Sequence, residues 1–314
     1  MAELAMREAY GRALAEYGGR DLRVVALDVD TSASTLSSYF AARFPERFFN
    51  VGIAEPCMVD VAAGLALGGY LPFINGFASI LSLRALEQIR TCLCYARTNV
   101  KIAASYAGIS DFKDGATHYS ITDLANVRAL PEMTVIVPAD AEEAAAWVPI
   151  VAEHDGPVYL RISRAGALPV YQAGETLQIG RGRCLRPGGD LTLVATGAMV
   201  GRCAAAAGQL SALGIDARLL EIHTLKPLDR DLLLQATEET GALVTAEEHN
   251  IIGGLGSAVA ETLSAGRPAP LERVGIQDRF CPTGRDLDRL MDVCGLSVAE
   301  IVAAAKRVLE RKDR

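Results

Sequence analysis

Long hydrophobic runs, paired cysteines and an excess of positive charge are all missing from this sequence. No apolar stretch reaches the roughly 18 residues that a membrane-spanning helix needs, so we expect no membrane partner. The amino-terminal segment carries charges early and has no uninterrupted apolar core, which argues against a secretory signal. With 31 basic and 38 acidic residues the net charge is −7, so nucleic acid is disfavoured as the main ligand.

The seven cysteines are scattered along the chain, and none belongs to a CxxC pair. An odd number of isolated cysteines is typical of mostly buried, reduced thiols rather than of a disulfide framework. Cys92 and Cys94 stand two apart on a predicted helix and point about 200° away from each other, which is a poor metal geometry. We therefore expect reduced thiols and a cytoplasmic location.

The sequence is rich in hydrophobic residues, and their spacing alternates between strand and helix patterns. Half of the 314 residues are hydrophobic and 22% are charged, which suffices for two α/β domains. The spacing predicts two mostly parallel-sheet α/β domains with helices on both faces of each sheet. The predicted strands are 22–27, 48–51, 71–75, 100–104, 134–137 and 158–162, then 191–195, 217–222, 242–246 and 271–274. The predicted helices are 1–17, 36–44, 56–68, 80–95, 121–129 and 141–153, then 199–213, 228–239, 256–265, 284–293 and 298–311.

Gly, Pro and polar residues interrupt this alternation at 165–178. Domain boundaries commonly fall in such segments. We predict a first domain over residues 1–168, a linker over 169–182 and a second domain over 183–314.

Two polar runs are the most informative: Asn50-Val-Gly-Ile-Ala-Glu-Pro-Cys-Met58 and Asp114-Gly-Ala-Thr-His118. Glu55 follows a short apolar strand and opens an alanine-rich helix, where a Glu would also stabilise the helix dipole by about 0.3–1 kcal/mol. Ligands of parallel α/β sheets gather at the carboxyl ends of the strands. Other polar clusters follow predicted strands at 28–32, 75–77, 105–118 and 161–164. Any α/β domain places polar loops at that edge, so the clustering indicates a site without defining it.

Together these runs resemble the pyrimidine-binding half of transketolases, which are thiamine diphosphate enzymes. Gly-Ile-Ala-Glu, ending at Glu55, is followed by Gly-Phe-Ala-Ser at 76–79, and the run ending at His118 continues into matching segments at 123–131 and 137–140. The second domain resembles the transketolase C-terminal domain at 222–229 and 245–256. Within it, His223, His249 and the glycines at 253, 254 and 256 are expected to be structural.

The resemblance implies a cofactor site built from Glu55, Phe77, Ile80 and Asp28. Glu55 is the implied catalytic carboxylate, which binds N1′ of the aminopyrimidine from a shielded position and shares a proton with it. Phe77 is implied to stack on the pyrimidine ring. Ile80 and Leu83 stand where the family usually has aromatic residues, so we expect a more aliphatic pocket.

The resemblance also implies a sugar site. His118 is the second implied catalytic residue, at the C1–C2 end of the sugar, and Asp114 would hold a hydroxyl. Arg7, Ser32 and Arg164 would bind the phosphate or a similar anion. Tyr106 occupies the position of a His that usually helps with the phosphate, and the neighbouring 111–113 segment is unusual. We therefore expect an uncommon sugar specificity.

The Gly-Asp-Gly motif, followed downstream by an Asn, does not occur in the sequence. In the thiamine families it binds the diphosphate and a metal ion, Mg²⁺ or Ca²⁺. The resemblance therefore implies a separate partner chain that carries this motif and most of the metal ligands. An α2β2 heterotetramer with the cofactor at the interface is expected.

The expected function is that of the C-terminal subunit of a split transketolase. It would move a two-carbon ketol unit from an anionic ketose to an aldose through a thiamine diphosphate adduct. One alternative is the β subunit of a 2-oxo acid dehydrogenase, against which stand the 114–118 run and the arginines. 1-Deoxyxylulose-5-phosphate synthase shares that run but normally keeps its diphosphate domain on the same chain. A non-catalytic scaffold is a further alternative, motivated by Tyr106, Ile80 and Leu83.

Overall fold

The structure is a computed structural model that describes residues 4–171 and 174–312. Two sheets organise these residues, one of seven strands and one of five. The strands are β1 (Val24–Asp28), β2 (Phe48–Asn50), β3 (Leu71–Phe77), β4 (Lys101–Ser105), β5 (Thr134–Ile136), β6 (Val158–Arg161), β7 (Arg183–Arg186), β8 (Leu191–Ala195), β9 (Ala217–Glu221), β10 (Thr224–Lys226), β11 (Leu243–Asn250) and β12 (Leu271–Ile276). The two mostly parallel α/β domains predicted from the sequence are confirmed.

Helices cover both sheets. They are α1 (Met6–Gly18), α2 (Ser32–Thr35), α3 (Ser38–Arg43), α4 (Glu55–Leu67), α5 (Ala78–Arg84), α6 (Leu86–Gln88), α7 (Asp123–Arg128), α8 (Ala141–Glu153), α9 (Met199–Ala212), α10 (Arg230–Thr240), α11 (Leu255–Ala265), α12 (Leu287–Val293) and α13 (Val298–Lys312). A 3-10 turn covers Pro45–Arg47 and a π-helical turn covers Ile89–Tyr95. Among the described residues, none of these helices combines the length and the apolar character needed to cross a membrane.

The first sheet has the order β10-β5-β6-β4-β3-β1-β2. Neighbouring strands are parallel except β10 and β5. β1, β4 and β6 are buried along their whole length, since helices cover both faces of the sheet. The parallel arrangement brings the carboxyl ends of β1, β3, β4 and β6 to one edge, where the candidate site lies.

The second sheet has the order β12-β11-β8-β9-β7, with β7 antiparallel to β9 at its edge. The sequence prediction missed both β7 and β10. β10 follows β9 in the chain but pairs with β5 of the first sheet, with Thr224 opposite Ile136. The two halves of the chain therefore share backbone hydrogen bonds as well as packing.

Several predicted helices are wrong in extent. The helix predicted over 80–95 is divided into α5, α6 and the π-helical turn, because the backbone at Ala85 leaves helical geometry (φ −104°, ψ 11°). The helix predicted over 36–44 begins at Ser38, because Leu36 is left-handed with φ 63°. The helix predicted over 1–17 runs over Met6–Gly18, and residues 1–3 lie outside the described residues.

One expectation about the cysteines also needs correction. Cys281 and Cys294 are joined by a disulfide, although all thiols were expected to be unpaired. Both residues belong to the apolar cluster under the second sheet, and packing of the loop at 281 against the end of α12 brings them together. Of the others, Cys94 and Cys203 are buried, whereas Cys57 and Cys184 are exposed.

Candidate active site

Glu55 is the first residue of α4 and is almost completely shielded, with 2% of its surface exposed. Pro56 follows in the first turn, where its fixed φ suits a helix start and its missing N–H is not needed. One carboxylate oxygen, Oε2, accepts a hydrogen bond from Nη1 of Arg84 at 2.8 Å. Among the described residues, the other oxygen accepts none. Glu55 is therefore a buried carboxylate with one oxygen left for a ligand.

Arg84, the partner of this carboxylate, lines an apolar cleft of about 630 Å³. Its walls also include Ile80, Leu83, Ile121 and Phe280. Ile80 is half-buried, whereas Leu83 is exposed. A flat heteroaromatic ring fits such walls, and a shielded carboxylate suits one of its ring nitrogens. The residues present are thus compatible with an aminopyrimidine.

Phe77, Tyr106 and His118 form a group of rings at the end of β3. The ring centroids of Phe77 and Tyr106 are 4.4 Å apart, and those of Phe77 and His118 are 6.1 Å apart with an edge-on geometry. Nδ1 of His118 lies 3.0 Å from the hydroxyl of Thr117, so Nε2 is the ring nitrogen that remains for a substrate. The structure brings Phe77, the last residue of β3, together with two residues of the 105–118 loop.

Arg7 and Arg164 flank the ring of Tyr106. Their guanidinium carbons lie 5.5 and 5.2 Å from its centroid, a cation–π geometry. Arg7 Nη1 donates to the Tyr106 hydroxyl at 2.8 Å and to the carbonyl of Ser34 at 2.6 Å. Tyr106 has a positive φ of 63°, which is unusual for an aromatic residue. The contacts from both arginines hold it in that conformation.

Asp111 is a residue of this site that the sequence prediction did not assign. Its Oδ1 accepts from Nη1 of Arg164 at 2.6 Å, and the residue has no exposed surface. Burial raises the pKa of Asp111, and the nearby charge of Asp114 raises it further. The unusual 111–113 segment was the sequence signal, but nothing in it identified Arg164 as the partner.

Two other predicted residues lie in the loop after β1. Asp28 is fully buried, and its carboxylate accepts hydrogen bonds from the backbone N–H of Thr31 and from the hydroxyls of Thr31, Thr35 and Ser37. It organises this loop in the structure, and its contact with a cofactor stays a prediction. Ser32 opens α2 and is half-buried, two residues before the carbonyl that Arg7 contacts. Asp114, in the 105–118 loop, is exposed.

Arg161 was grouped with the polar edge but is buried between the domains. It forms an ion pair with Asp123 at 2.7 Å and donates to the carbonyls of Ser120 and Glu248. His249 is buried beside the same Asp123, at 4.0 Å. His223 packs edge-on against Trp147, and burial, assisted by Arg183, lowers the pKa of His223 to about 4. These contacts fit the structural roles expected for both histidines.

The glycine-rich turn at 253–256 leads into α11, as expected. Its helix amino terminus is occupied by the carboxylate of Glu247, which accepts from the backbone N–H groups of Leu255 and Gly256 at 2.7 and 2.8 Å. A phosphate binds helix termini through the same N–H groups. The turn is therefore closed to a nucleotide by the protein's own side chain.

The fold and this site can be compared with known proteins. Residues 2–167 match the family described as transketolase, pyrimidine binding domain, and residues 180–301 match transketolase, C-terminal domain. The first match covers β1 to β6 and therefore includes the sheet edge that carries Glu55. The chain belongs to the transketolase family.

Relatives of similar length are themselves subunits. The chain is 42% identical over 308 residues to a 6-deoxy-6-sulfo-D-fructose transketolase subunit of Clostridium sp. (strain MSTE9), covering 98% of this chain and 95% of that protein. It is 37% identical over 276 residues to an apulose-4-phosphate transketolase subunit of Phocaeicola vulgatus, covering 88% of each. A solved split gene transketolase, described as an inactive β4 tetramer, is 47% identical with a TM-score of 0.90 over 99% of each chain. These matches favour the transketolase prediction over the dehydrogenase alternative.

Proposed function

We propose that this chain is the C-terminal subunit of a split transketolase, which transfers a two-carbon ketol unit from an anionic ketose to an aldose. The observation that carries the proposal is the buried Glu55, whose partner Arg84 lines an apolar cleft, together with Phe77 at the end of β3 and His118 against its ring. Such a site offers a pyrimidine contact and a proton-transfer group. The sequence adds no Gly-Asp-Gly run that would bind a diphosphate.

Glu55, Phe77 and Ile80 would hold the aminopyrimidine of thiamine diphosphate. When bound, this cofactor supplies an electron sink next to the substrate carbonyl. The low exposure of Glu55 keeps water away from the carboxylate, which strengthens its contact with a ring nitrogen. The apolar walls orient the ring without competing hydrogen bonds.

His118 would handle protons at the reacting end of the sugar. Its Nδ1 is engaged by Thr117, so its Nε2 is available to exchange a proton with a substrate oxygen. Asp114, exposed four residues earlier, is placed to accept from a sugar hydroxyl. Arg7, Ser32, Arg164 and Tyr106 would bind the anionic end of the sugar.

Relatives that are subunits imply a separate partner chain. We propose that the partner carries the Gly-Asp-Gly and Asn motif, contributes most ligands to Mg²⁺ or Ca²⁺, and assembles with this chain as an α2β2 heterotetramer. Exposed apolar side chains near the cofactor end of the site support a covered surface there: Ile53, two residues before Glu55, is 75% exposed, and Leu83, which lines the cleft, is 61% exposed.

We also keep the predicted domain limits, 1–168, 169–182 and 183–314, as a proposal. The described part of 165–178 forms no helix or strand, which supports a boundary in this region. The cytoplasmic location, too, is a proposal that follows from the sequence expectation.

The test is reconstitution. Ketol transfer is measured with this chain, a companion chain that carries the diphosphate motif, thiamine diphosphate and Mg²⁺, using xylulose 5-phosphate, fructose 6-phosphate and a sulfonated ketose as donors. Activity that needs both chains supports the proposal. Decarboxylation of a 2-oxo acid without ketol transfer would move the assignment to the dehydrogenase class. A stable complex without either activity would favour a scaffold.

A further inference from the structure

The end of the site remote from Glu55 contains an internal charge pair that the sequence resemblance did not anticipate. We call Arg7, Tyr106, Asp111, Asp114 and Arg164 the distal group. If the proposed function holds, this group faces the end of the sugar that is not transferred. Its charges then decide which anions the enzyme accepts.

Arg164 is largely neutralised within the chain. Its guanidinium donates to Oδ1 of Asp111 at 2.6 Å, and only about a quarter of the Arg164 side chain is exposed, at 25%. The second oxygen of Asp111, Oδ2, is buried and accepts no hydrogen bond among the described residues. Asp111 thus places a buried carboxylate against Arg164, in a site where a phosphate would need positive charge.

Arg7 retains capacity for one anionic group. Its Nε is buried and has no acceptor among the described residues. The Tyr106 hydroxyl accepts from Arg7 and keeps its own proton for donation. One unsatisfied guanidinium donor and one hydroxyl donor, on two residues that are hydrogen-bonded to each other, suit a single weakly basic anion better than an uncharged hydroxyl.

With both carboxylates ionised, the two guanidinium groups and the two carboxylates of the distal group sum to zero charge. We propose that Asp111 is a specificity-determining residue that limits the distal end of the substrate to a single negative charge, so that the enzyme prefers sugar sulfonates to sugar phosphates. A sulfonate carries one charge, whereas a phosphate monoester carries close to two at pH 8. This inference rests on the proposed transketolase function and goes beyond it in naming the substrate class.

The charge of the ligand makes the idea quantitative. Removing one fixed charge changes the Coulomb energy of a dianion by twice the change for a monoanion and leaves a neutral ligand unaffected. We expect removal of this charge to change kcat/KM roughly tenfold for each unit of charge on the ligand. This is the scale of a partly screened ion contact at an effective dielectric constant near 20.

The experiment compares three donors of the same carbon skeleton in the reconstituted two-chain enzyme at pH 8: fructose, 6-deoxy-6-sulfofructose and fructose 6-phosphate. In the wild type, kcat/KM should be higher for the sulfonate than for the phosphate by about tenfold. In Asp111→Asn, kcat/KM should rise about tenfold for the sulfonate and about 100-fold for the phosphate, and stay unchanged for fructose. The preference for the sulfonate over the phosphate should therefore disappear in Asp111→Asn.

Two further variants keep the test decisive. Asp111→Glu retains the charge and should retain the preference for sulfonate, which separates charge from shape. Asp288→Asn removes an exposed carboxylate that also pairs with an arginine, Arg202, and should change none of the three ratios. Circular dichroism verifies that each variant is folded.

A wild type that prefers phosphate, or an Asp111→Asn variant whose gain does not depend on ligand charge, would overturn the inference. If no donor is turned over, the proposed function fails and the inference is judged by calorimetric binding of the same three sugars to the complex. The affinities should then follow the same dependence on charge. If Asp111→Asn changed the affinity for all three sugars equally, the proposed role of Asp111 would be rejected.

Discussion

The two ends of the candidate site are built in different ways. At the cofactor end, Glu55 has one protein partner, Arg84, and its surroundings include exposed Ile53 and Leu83. At the distal end, Tyr106 and Asp111 are buried, and both are held by arginines of the same chain. One end is open and apolar, while the other is closed and charged.

This difference indicates which chain of the enzyme completes each end of the site. An open apolar end gains from being covered, because exposed aliphatic side chains are stabilised when water is removed. A closed charged end is already organised and selects among ligands through its fixed charges. We infer that the partner chain completes the cofactor end, whereas this chain alone determines the distal specificity. Three substitutions test this inference, and a fourth, at Glu248, tests how the second domain supports the loop at 105–118.

The largest effect is expected for Glu55→Gln at the open end. Gln cannot share a proton with a ring nitrogen as a carboxylate does, so kcat of the reconstituted enzyme should fall on the order of 1,000-fold. Assembly with the partner should be retained, as seen by size-exclusion chromatography with light scattering. Glu261→Gln is the control, since this exposed Glu also pairs with an arginine, Arg128. Full activity of Glu55→Gln would refute the assignment of the site and favour a scaffold.

The next effect concerns Glu248 of the second domain, which supports the loop at 105–118 by accepting a hydrogen bond from the N–H of Ile109 at 2.7 Å. Burial raises the pKa of Glu248 to about 7, against the opposing influence of Arg161. A carboxyl with a raised folded-state pKa contributes stability at low pH, and the contribution is lost as pH rises towards 7.

Glu248→Gln removes this ionisation, so it should raise the free energy of unfolding at pH 8 by about 3 kcal/mol and leave it little changed at pH 4. Urea denaturation at both pH values measures the difference. Equal effects at the two pH values would show that Glu248 does not titrate in this range.

Ile53→Asp should weaken assembly with the partner chain. Ile53 is 75% exposed and lies two residues from Glu55. A carboxylate buried at an interface without a partner should raise the dissociation constant roughly 100-fold. Surface plasmon resonance with immobilised partner chain gives the constant. Leu213→Asp, at an exposed position of the second domain, is the control and should bind normally. Unchanged binding of Ile53→Asp would place the partner on another surface.

The smallest effect is expected for Tyr106→Phe at the closed end. Loss of the hydroxyl removes the acceptor for Arg7 and a donor for the anion, so KM for an anionic donor should rise about tenfold while kcat is retained. Steady-state kinetics with a charged and a neutral ketose separates this from a general loss of structure, since KM for the neutral sugar should not change. Tyr70→Phe is the matched control, on an exposed residue before β3. A loss of kcat would indicate that Tyr106 takes part in the chemistry.

Much of the fold was predictable because strand and helix periodicities are local. β1, β8 and β9 lie where the apolar runs predicted them, and α8 matches its predicted limits. The helix predicted over 80–95 was wrong because its apolar residues have helical spacing, while the break at Ala85 has no sequence signal such as Gly or Pro. β10 was missed because three residues that pair with a distant strand carry no periodicity of their own.

The site shows the same division. The position of Glu55 at a helix start and the loop carrying Asp114 and His118 were evident from the order of residues. Two ion pairs of the site could not be read from the order of residues. Arg84 and Glu55 are separated by 29 positions, and Asp111 and Arg164 by 53.

The sequence alone determined two parallel α/β domains, the helix that begins at Glu55 and the family that the chain resembles. These follow from short-range periodicity and from motifs read in order. The tertiary structure decided which charges meet: Asp111 neutralises Arg164, Glu247 fills the amino terminus of α11, and Arg161 is buried with Asp123. Electrostatic interactions act through space and depend on distance and burial, which the folded chain sets and the order of residues does not.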